Sequence, residues 1–217
     1  MDDLRALKRA AFLAIGEGVA GLTVAGTPVR LRRSVDALRV EVDLPDGSHG
    51  LVHLATIKHG LPVGAFAVDP SALVYGGRVR GVLERLPVPG RHIAGLGAIL
   101  SSKGPRDAGP PRPLPVTAID APVIAGLVAA VRETFLPLLA AFSGEWSSAL
   151  QHTLTHPHDV DRPYSAAVVL SLLAGRGALP AAVEAAVAND PAFWDRSAAL
   201  AAPGWRERAA ALVAAAP

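Results

Sequence analysis

The chain has 217 residues, of which 51% are hydrophobic and 18% charged, and this balance is typical of a folded globular protein rather than a disordered one. It contains no cysteine, which excludes disulfides, thiolate metal sites, iron–sulfur clusters and thiol nucleophiles. The net charge is only +2 and the arginines occur in small groups, which disfavours a nucleic-acid interface because such an interface needs a concentrated basic face.

The amino-terminal segment predicts an amphipathic helix from Asp2 to Ile15. Its apolar residues recur at spacings of three and four, so they share one helical face. Gly16 and Gly18 are expected to end the helix. The same periodicity directs three basic side chains to solvent, namely Arg5, Lys8 and Arg9. We expect this helix to pack on a sheet, with a membrane-surface helix or a partner-binding helix as the alternative.

The sequence carries no sign of export or of membrane insertion. The segment Met1-Asp2-Asp3 is acidic where a secretory signal carries positive charge, and no apolar region follows it. The longest apolar run, Val123 to Val131, is far shorter than the ~20 residues that cross a bilayer. The alanine-rich and arginine-rich composition is typical of a GC-rich genome. We therefore expect a bacterial, cytoplasmic protein without a membrane span.

Residues 22 to 57 change to a period of two, which predicts an antiparallel β-meander. Leu38, Val40 and Val42 alternate with charged residues, the pattern of a strand with one buried face. Pro45-Asp46-Gly47 has the composition of a tight turn, so Leu51 to Ile57 is expected to complete a hairpin. The remaining predicted strands bring the sheet to about five, and they are Val29–Leu31, Leu73–Tyr75 and Val79–Leu83.

Two histidines lie in this hairpin. His49 and His53 are four residues apart, which on a strand puts them on one face but roughly 13 Å apart, too far to share a metal ion. His53 has apolar residues on its face of the strand, so we expect a hydrogen-bonded core histidine.

A proline-rich segment divides the chain. Residues 105 to 115 contain five prolines, which predicts a linker or surface loop over 105–119. It separates a helix and antiparallel β-meander in 1–104 from an α-helical region in 120–217, and the two halves could also pack as one domain. Pro137 is expected to interrupt the helix that begins near Asp120. The predicted fold class is α+β, with an alanine-rich helical carboxy-terminal half.

The segment from Gln151 to Tyr164 holds three of the seven histidines. His152 and His156 are four residues apart, so on a helix both rings share one face and could bind one metal ion. His158 is a candidate third ligand and Asp159 a fourth, although Pro157 prevents the helix from continuing simply through His158. These residue types would suit zinc or another divalent metal.

Two other interpretations of this segment stay open. A metalloprotease is excluded because Thr153 stands where the zinc-protease motif has glutamate. The segment could be a structural loop between helices, with its histidines bonded to backbone carbonyls. It could also be a recognition surface, since histidine, arginine and tyrosine are common interface residues, and the binding candidates are then His158, Arg162 and Tyr164.

The sequence therefore favours a non-enzymatic protein-binding module that acts through a surface and needs no cofactor. An adaptor, a chaperone or a toxin-neutralising immunity-type protein would fit this description, each with a protein partner. The alternative is a metal-dependent enzyme that uses a His152, His156 and His158 cluster to hold zinc or another divalent ion. Asp159, itself a candidate ligand, or Asp161 would then act as a base or as the group that orients a ring.

Overall fold

The structure is a computed structural model. It describes residues 2–45, 47–57, 61, 63–76, 98–102, 114–116, 121–143, 145–160 and 163–175, together with 184, 185, 188, 189, 191 and 211. The predicted strand Val79–Leu83 lies outside these residues, as do most of the positions in the helices predicted after residue 180. The described residues form an amino-terminal helix, antiparallel sheets and a helical carboxy-terminal half, which confirms the α+β class.

The amino-terminal half begins with helix α1, Asp2–Val19, followed by a short hairpin of two strands. Six further strands form one antiparallel sheet within the described residues. In chain order the strands are β1 Thr23–Val24, β2 Thr27–Pro28, β3 Arg30–Arg33, β4 Ala37–Asp43, β5 Ser48–Ile57, β6 Phe66–Gly76, β7 Ala98–Ser102 and β8 Leu114–Val116.

The predicted β4–β5 hairpin is confirmed. Val40 pairs with Val52, and the backbone amide of Leu44 donates to the carbonyl of Ser48 at 2.8 Å to close the turn. Gly47 has a φ of 80°, which explains why glycine stands there. The predicted short strand Leu73–Tyr75 is instead the end of the long strand β6.

The sheet order is β3-β4-β5-β6-β7, and β8 pairs with the first part of β6. Strand β8, Leu114–Val116, lies inside the segment predicted as a linker, 105–119. Pro113 precedes the strand and Pro115 lies within it, and Pro115 is tolerated because the strand is short and at the sheet edge. Part of the proline-rich segment is therefore a component of the sheet.

The prediction that Gly16 and Gly18 end α1 is wrong, because the helix continues to Val19. A Cβ atom on Gly18 would lie 2.6 Å from Cγ2 of Val128. The missing side chain therefore lets α1 approach the helix that carries Val128. Gly18 thus serves close packing rather than termination.

The helical half comprises α2 Ala121–Ala130, a π-helical turn Val131–Phe135, α3 Leu136–Ala141, α4 Trp146–Thr155, a 3₁₀ turn Pro157–Asp159 and α5 Pro163–Leu173. The interruption predicted at Pro137 is confirmed. The Leu136 amide donates to the carbonyl of Val131, five residues back. A wider turn before the proline accommodates its ring and its missing amide hydrogen.

The continuous helical stretch Ala121–Ala141 has a mean hydropathy of 1.8 and is long and apolar enough to cross a membrane by length and composition alone. Its Leu127, Val131 and Leu139 are nevertheless buried in the protein core. Arg132 and Glu133 are exposed in its middle. Only 39% of its most apolar window is buried in the protein, and the absence of a membrane span stays a prediction.

One hydrophobic core contains residues from both halves of the chain. The inner face of the sheet contributes Leu38, Val52 and Val74, and α1 contributes Phe12 and Ile15. The helical half adds buried side chains to the same cluster, among them Leu127, Phe135, Leu139, Leu150 and Leu170. The helices therefore cover one face of the sheet, and the other face carries most of its charged side chains.

Candidate functional site

The segment from Gln151 to Tyr164, which we call the polar segment, spans the end of α4, and its Asp161 lies outside the described residues. As predicted, the helix doesn't continue through Pro157: it ends at Thr155, and His156 has a non-helical backbone with φ −129° and ψ 58°. The residue before a proline is pushed out of the helical region by its ring. A 3₁₀ turn then brings Asp159 back toward the end of the helix.

This path brings three of the four predicted metal ligands together. The His152 and His156 rings stack with centroids 4.8 Å apart and planes at 23°. Nε2 of His152 lies 3.3 Å from Oδ2 of Asp159. That nitrogen is buried without a well-aligned hydrogen-bond partner among the described residues.

The geometry of this cluster is that of a stacked pair and not of a formed metal site. Parallel rings do not direct their nitrogen lone pairs at one point, whereas zinc ligands converge in a tetrahedral arrangement. The described residues include no group of three histidine or acidic side chains placed to hold a metal ion. A metal here would need His158 or a rotation of one ring.

Burial lowers the pKa of His152 below its ordinary value, and its electrostatic interaction with His156 acts in the same direction. The Asp159 carboxylate opposes this effect without cancelling it. The burial therefore favours the neutral form of His152, and the ring makes an edge-on contact with Phe142 at a centroid distance of 6.0 Å.

The hydroxyl of Thr155 donates to the carbonyl of Gln151 at 3.0 Å. Nδ1 of His156 lies 2.8 Å from the same hydroxyl oxygen, and the tautomer of the ring decides which of these two atoms donates.

The residues predicted as a recognition surface are only partly described. Arg162 lies outside the described residues. His158 belongs to the 3₁₀ turn and Tyr164 to the first turn of α5, and for both the backbone alone is described. Their proposed role as binding residues stays a prediction.

A second candidate site lies at the other end of the chain, between α1 and the β3–β4 turn. It is an open groove of about 420 Å³. We call it the basic groove, and its lining residues are Arg9, Phe12, Leu13, Arg33, Ser34 and Val35.

The basic groove combines an apolar surface with cationic edges. Phe12 is 1% exposed at its base, while Leu13 is 46% exposed. Arg9 and Arg33 are both exposed, and neither forms an ion pair with another residue in the part of the chain that the structure describes. The groove thus presents two arginines and an apolar side chain to solvent.

The prediction that Lys8 points to solvent is wrong, because this residue is 2% exposed. Its ammonium group contacts the Asp36 carboxylate, donates to Oγ1 of Thr56 at 3.2 Å and lies 5.9 Å from the centre of the Phe66 ring. Charged partners and an aromatic ring make this burial tolerable.

Lys8 also connects the two walls of the basic groove. It precedes Arg9 on α1, and its partner Asp36 follows Val35 on the β3–β4 turn. The contact between Lys8 and Asp36 therefore fixes the distance between the walls. A groove held in this way keeps its shape before anything binds.

The outer face of the sheet is also charged, and several of its charged side chains pair with one another. Arg30 donates to both oxygens of Asp43, one at 2.9 Å, and Nδ1 of His49 lies 2.9 Å from the same carboxylate. Arg32 pairs with Glu41 at 3.0 Å. Hydrogen bonds from Arg30 and then His49 lower the pKa of Asp43 to about 2.

His53 lies on this outer face and is only half-buried, so it is not the core histidine that we expected. Burial, followed by the charge of Arg39, lowers its pKa. Exposed arginines without an ion pair among the described residues also include Arg39 and Arg132. The apolar base beside the arginines is what distinguishes the basic groove.

No protein-family model, curated protein or solved structure matches the chain. The function must therefore be inferred from the geometry of the described residues. Local sequence patterns do not indicate the basic groove, because Arg9 and Arg33 are far apart in the chain. The exposed Leu13 beside Arg9 was the local signal that could have pointed to it.

Proposed function

We propose that the protein is a non-enzymatic binding module that engages a protein partner through the basic groove. The observation that carries this proposal is that the exposed Leu13 lines the same groove as two exposed arginines and the buried Phe12. Arginines and large apolar side chains in a concave surface are the residue types that contribute most to protein interfaces.

The rigidity of the groove supports the same proposal. The Lys8 contact with Asp36 joins α1 to the β3–β4 turn, so no loop has to become ordered when a partner binds. Binding then costs less conformational entropy than it would on a mobile surface. An adaptor, a chaperone or a toxin-neutralising immunity-type protein in the bacterial cytoplasm would use a groove of this kind.

Affinity capture from the native cell tests this proposal. The tagged full chain is compared with Leu13→Asp and with Ala10→Asp, which adds the same charge at another exposed position of α1 outside the groove lining. We expect a stoichiometric protein that is retained by the wild type and Ala10→Asp but lost by Leu13→Asp. Retention by all three, or no stoichiometric protein at all, would contradict the proposal.

The second candidate is a metal-dependent enzyme with ligands from the polar segment. It is favoured by the buried Nε2 of His152, which faces Asp159 at 3.3 Å beside the ring of His156. Elemental analysis and zinc titration of the purified chain test it. This candidate requires metal uptake at micromolar concentration that His152→Ala abolishes, and a chain that takes up none would eliminate it.

A further inference from the structure

We infer that the basic groove accepts an acidic segment of the partner protein, in which a carboxylate side chain stands next to an apolar one. This inference rests on the proposed function and adds the chemistry of the partner. The carboxylate would pair with Arg9 or Arg33, and the apolar side chain would pack against Leu13 and Phe12.

The charges around the groove favour a negative ligand. Arg5 lies four residues before Arg9, so it extends the cationic face of α1 by one helical turn. The carboxylate of Asp36 is engaged by Lys8. Glu17 lies four residues after Leu13 on α1, on the side away from Arg5 and Arg9. The end of the groove that the arginines form therefore stays positively charged. A guanidinium group can bind a carboxylate through two parallel hydrogen bonds.

The apolar base favours a peptide over other anions. A volume of about 420 Å³ lies within the range of roughly 300–1,000 Å³ that is typical of ligand sites, enough for a few side chains. Phe12 is too deeply buried to stack on a nucleic-acid base, which single-stranded nucleic acid would need. Leu13 alone protrudes from this part of α1, whereas a membrane-bound helix presents a row of apolar side chains.

Selection of peptides by phage display provides the test. Random twelve-residue peptides are selected on the full chain, and the enriched ones are synthesised with a fluorescent label. We expect each to contain aspartate or glutamate next to leucine, isoleucine or phenylalanine. Their affinity should fall at least tenfold in the double variant Arg9→Glu and Arg33→Glu, and should weaken as salt is added.

A charge-reversal control is Arg132→Glu, since Arg132 is exposed and outside the groove lining. This variant should bind the peptides like the wild type. Circular dichroism should show the same helix content in every variant, because all the replaced side chains are exposed.

The other outcomes separate this inference from the proposed function. Peptides that depend on Leu13 but lack acidic residues would overturn the acidic chemistry and leave the groove as a binding site. Failure to obtain any groove-dependent peptide would overturn the inference, while affinity capture independently decides the proposed function. Binding to phosphatidylserine vesicles that is lost in Arg9→Glu and Arg33→Glu would overturn the inference in favour of a membrane surface. A dimer seen in sedimentation and lost in the same variant would overturn it in favour of a second copy of the chain.

Discussion

Replacing Gly18 by alanine tests how α1 packs on α2. The new Cβ would lie 2.6 Å from Cγ2 and 3.1 Å from Cγ1 of Val128. Rotating the branched side chain exchanges one clash for another, so the helices must separate. Overpacking of this kind lowers the free energy of unfolding by about 1–3 kcal/mol. The better helix propensity of alanine offsets at most ~1 kcal/mol of this loss near a helix end.

Gly16→Ala is the matched control on the same helix. Its Cβ would meet Leu31 at 3.7 Å and Arg33 at 3.9 Å, which are ordinary contacts. Alanine should therefore stabilise the protein there by about 0.5–1 kcal/mol, while Gly18→Ala destabilises it by about 1–2 kcal/mol.

Urea unfolding followed by circular dichroism measures both changes. In a double-mutant cycle, Val128→Ala should remove most of the cost of Gly18→Ala, because it removes the methyl groups that clash. If Gly18→Ala is as stable as Gly16→Ala, the close approach of α1 and α2 is wrong.

Three other predictions concern buried and ion-paired groups. In urea unfolding, the free energy of unfolding of Lys8→Met should stay within about 1 kcal/mol of the wild-type value, because methionine keeps the buried apolar stem. Lys8→Ala should lose about 2–4 kcal/mol of that free energy. Equal losses in the two variants would contradict the packing role of the stem. The pKa of Asp43 is about 2 against an ordinary 3.8, so its contribution to stability is present above 3.8 and is lost as the pH falls toward 2. Carbon-detected NMR titration should show this midpoint and its rise toward 3.8 in Arg30→Met, and an unchanged midpoint would refute the pairing. Burial lowers the pKa of His152 below 6.5, so the neutral ring contributes to the free energy of unfolding above pH 6.5, and this contribution is lost as the pH falls through the folded-state pKa. In His152→Gln the free energy of unfolding should therefore decrease less steeply with falling pH than in the wild type. An equally steep decrease would contradict this role of the ring.

The sequence predicted those features that depend on local periodicity and backbone chemistry. The alternation of Leu38, Val40 and Val42 with charged residues predicted β4, because a strand with one buried face imposes a period of two. Pro137 and Pro157 predicted two helix interruptions, because proline has no amide hydrogen to donate. Such signals need no knowledge of the rest of the fold.

Features that depend on tertiary contacts were mispredicted or missed. Gly18 resembled a helix end, but its role is set by Val128, more than a hundred residues away. Lys8 resembled a surface lysine, but Asp36 and Thr56 approach it only after the sheet has formed. The basic groove also depends on tertiary contacts, since the Lys8–Asp36 contact joins its two walls, α1 and the β3–β4 turn.

The cluster of His152, His156 and Asp159 was predicted as a group of neighbours, and the structure brings these side chains together. The spacing could not predict that the rings would stack. His156 stands beyond the helix end, where the backbone before Pro157 sets the direction of its ring. Residue spacing thus indicated proximity but not coordination geometry.

Photo-crosslinking from position 13 in the native cell tests the central claim, that the basic groove binds a partner protein. A benzophenone amino acid replaces Leu13 in one variant and Ala10, outside the groove lining, in the other. We predict one dominant crosslinked protein from position 13, lost when Arg9 and Arg33 are changed to glutamate and absent from position 10. No crosslink from position 13, or the same crosslinks from both positions, would contradict the claim.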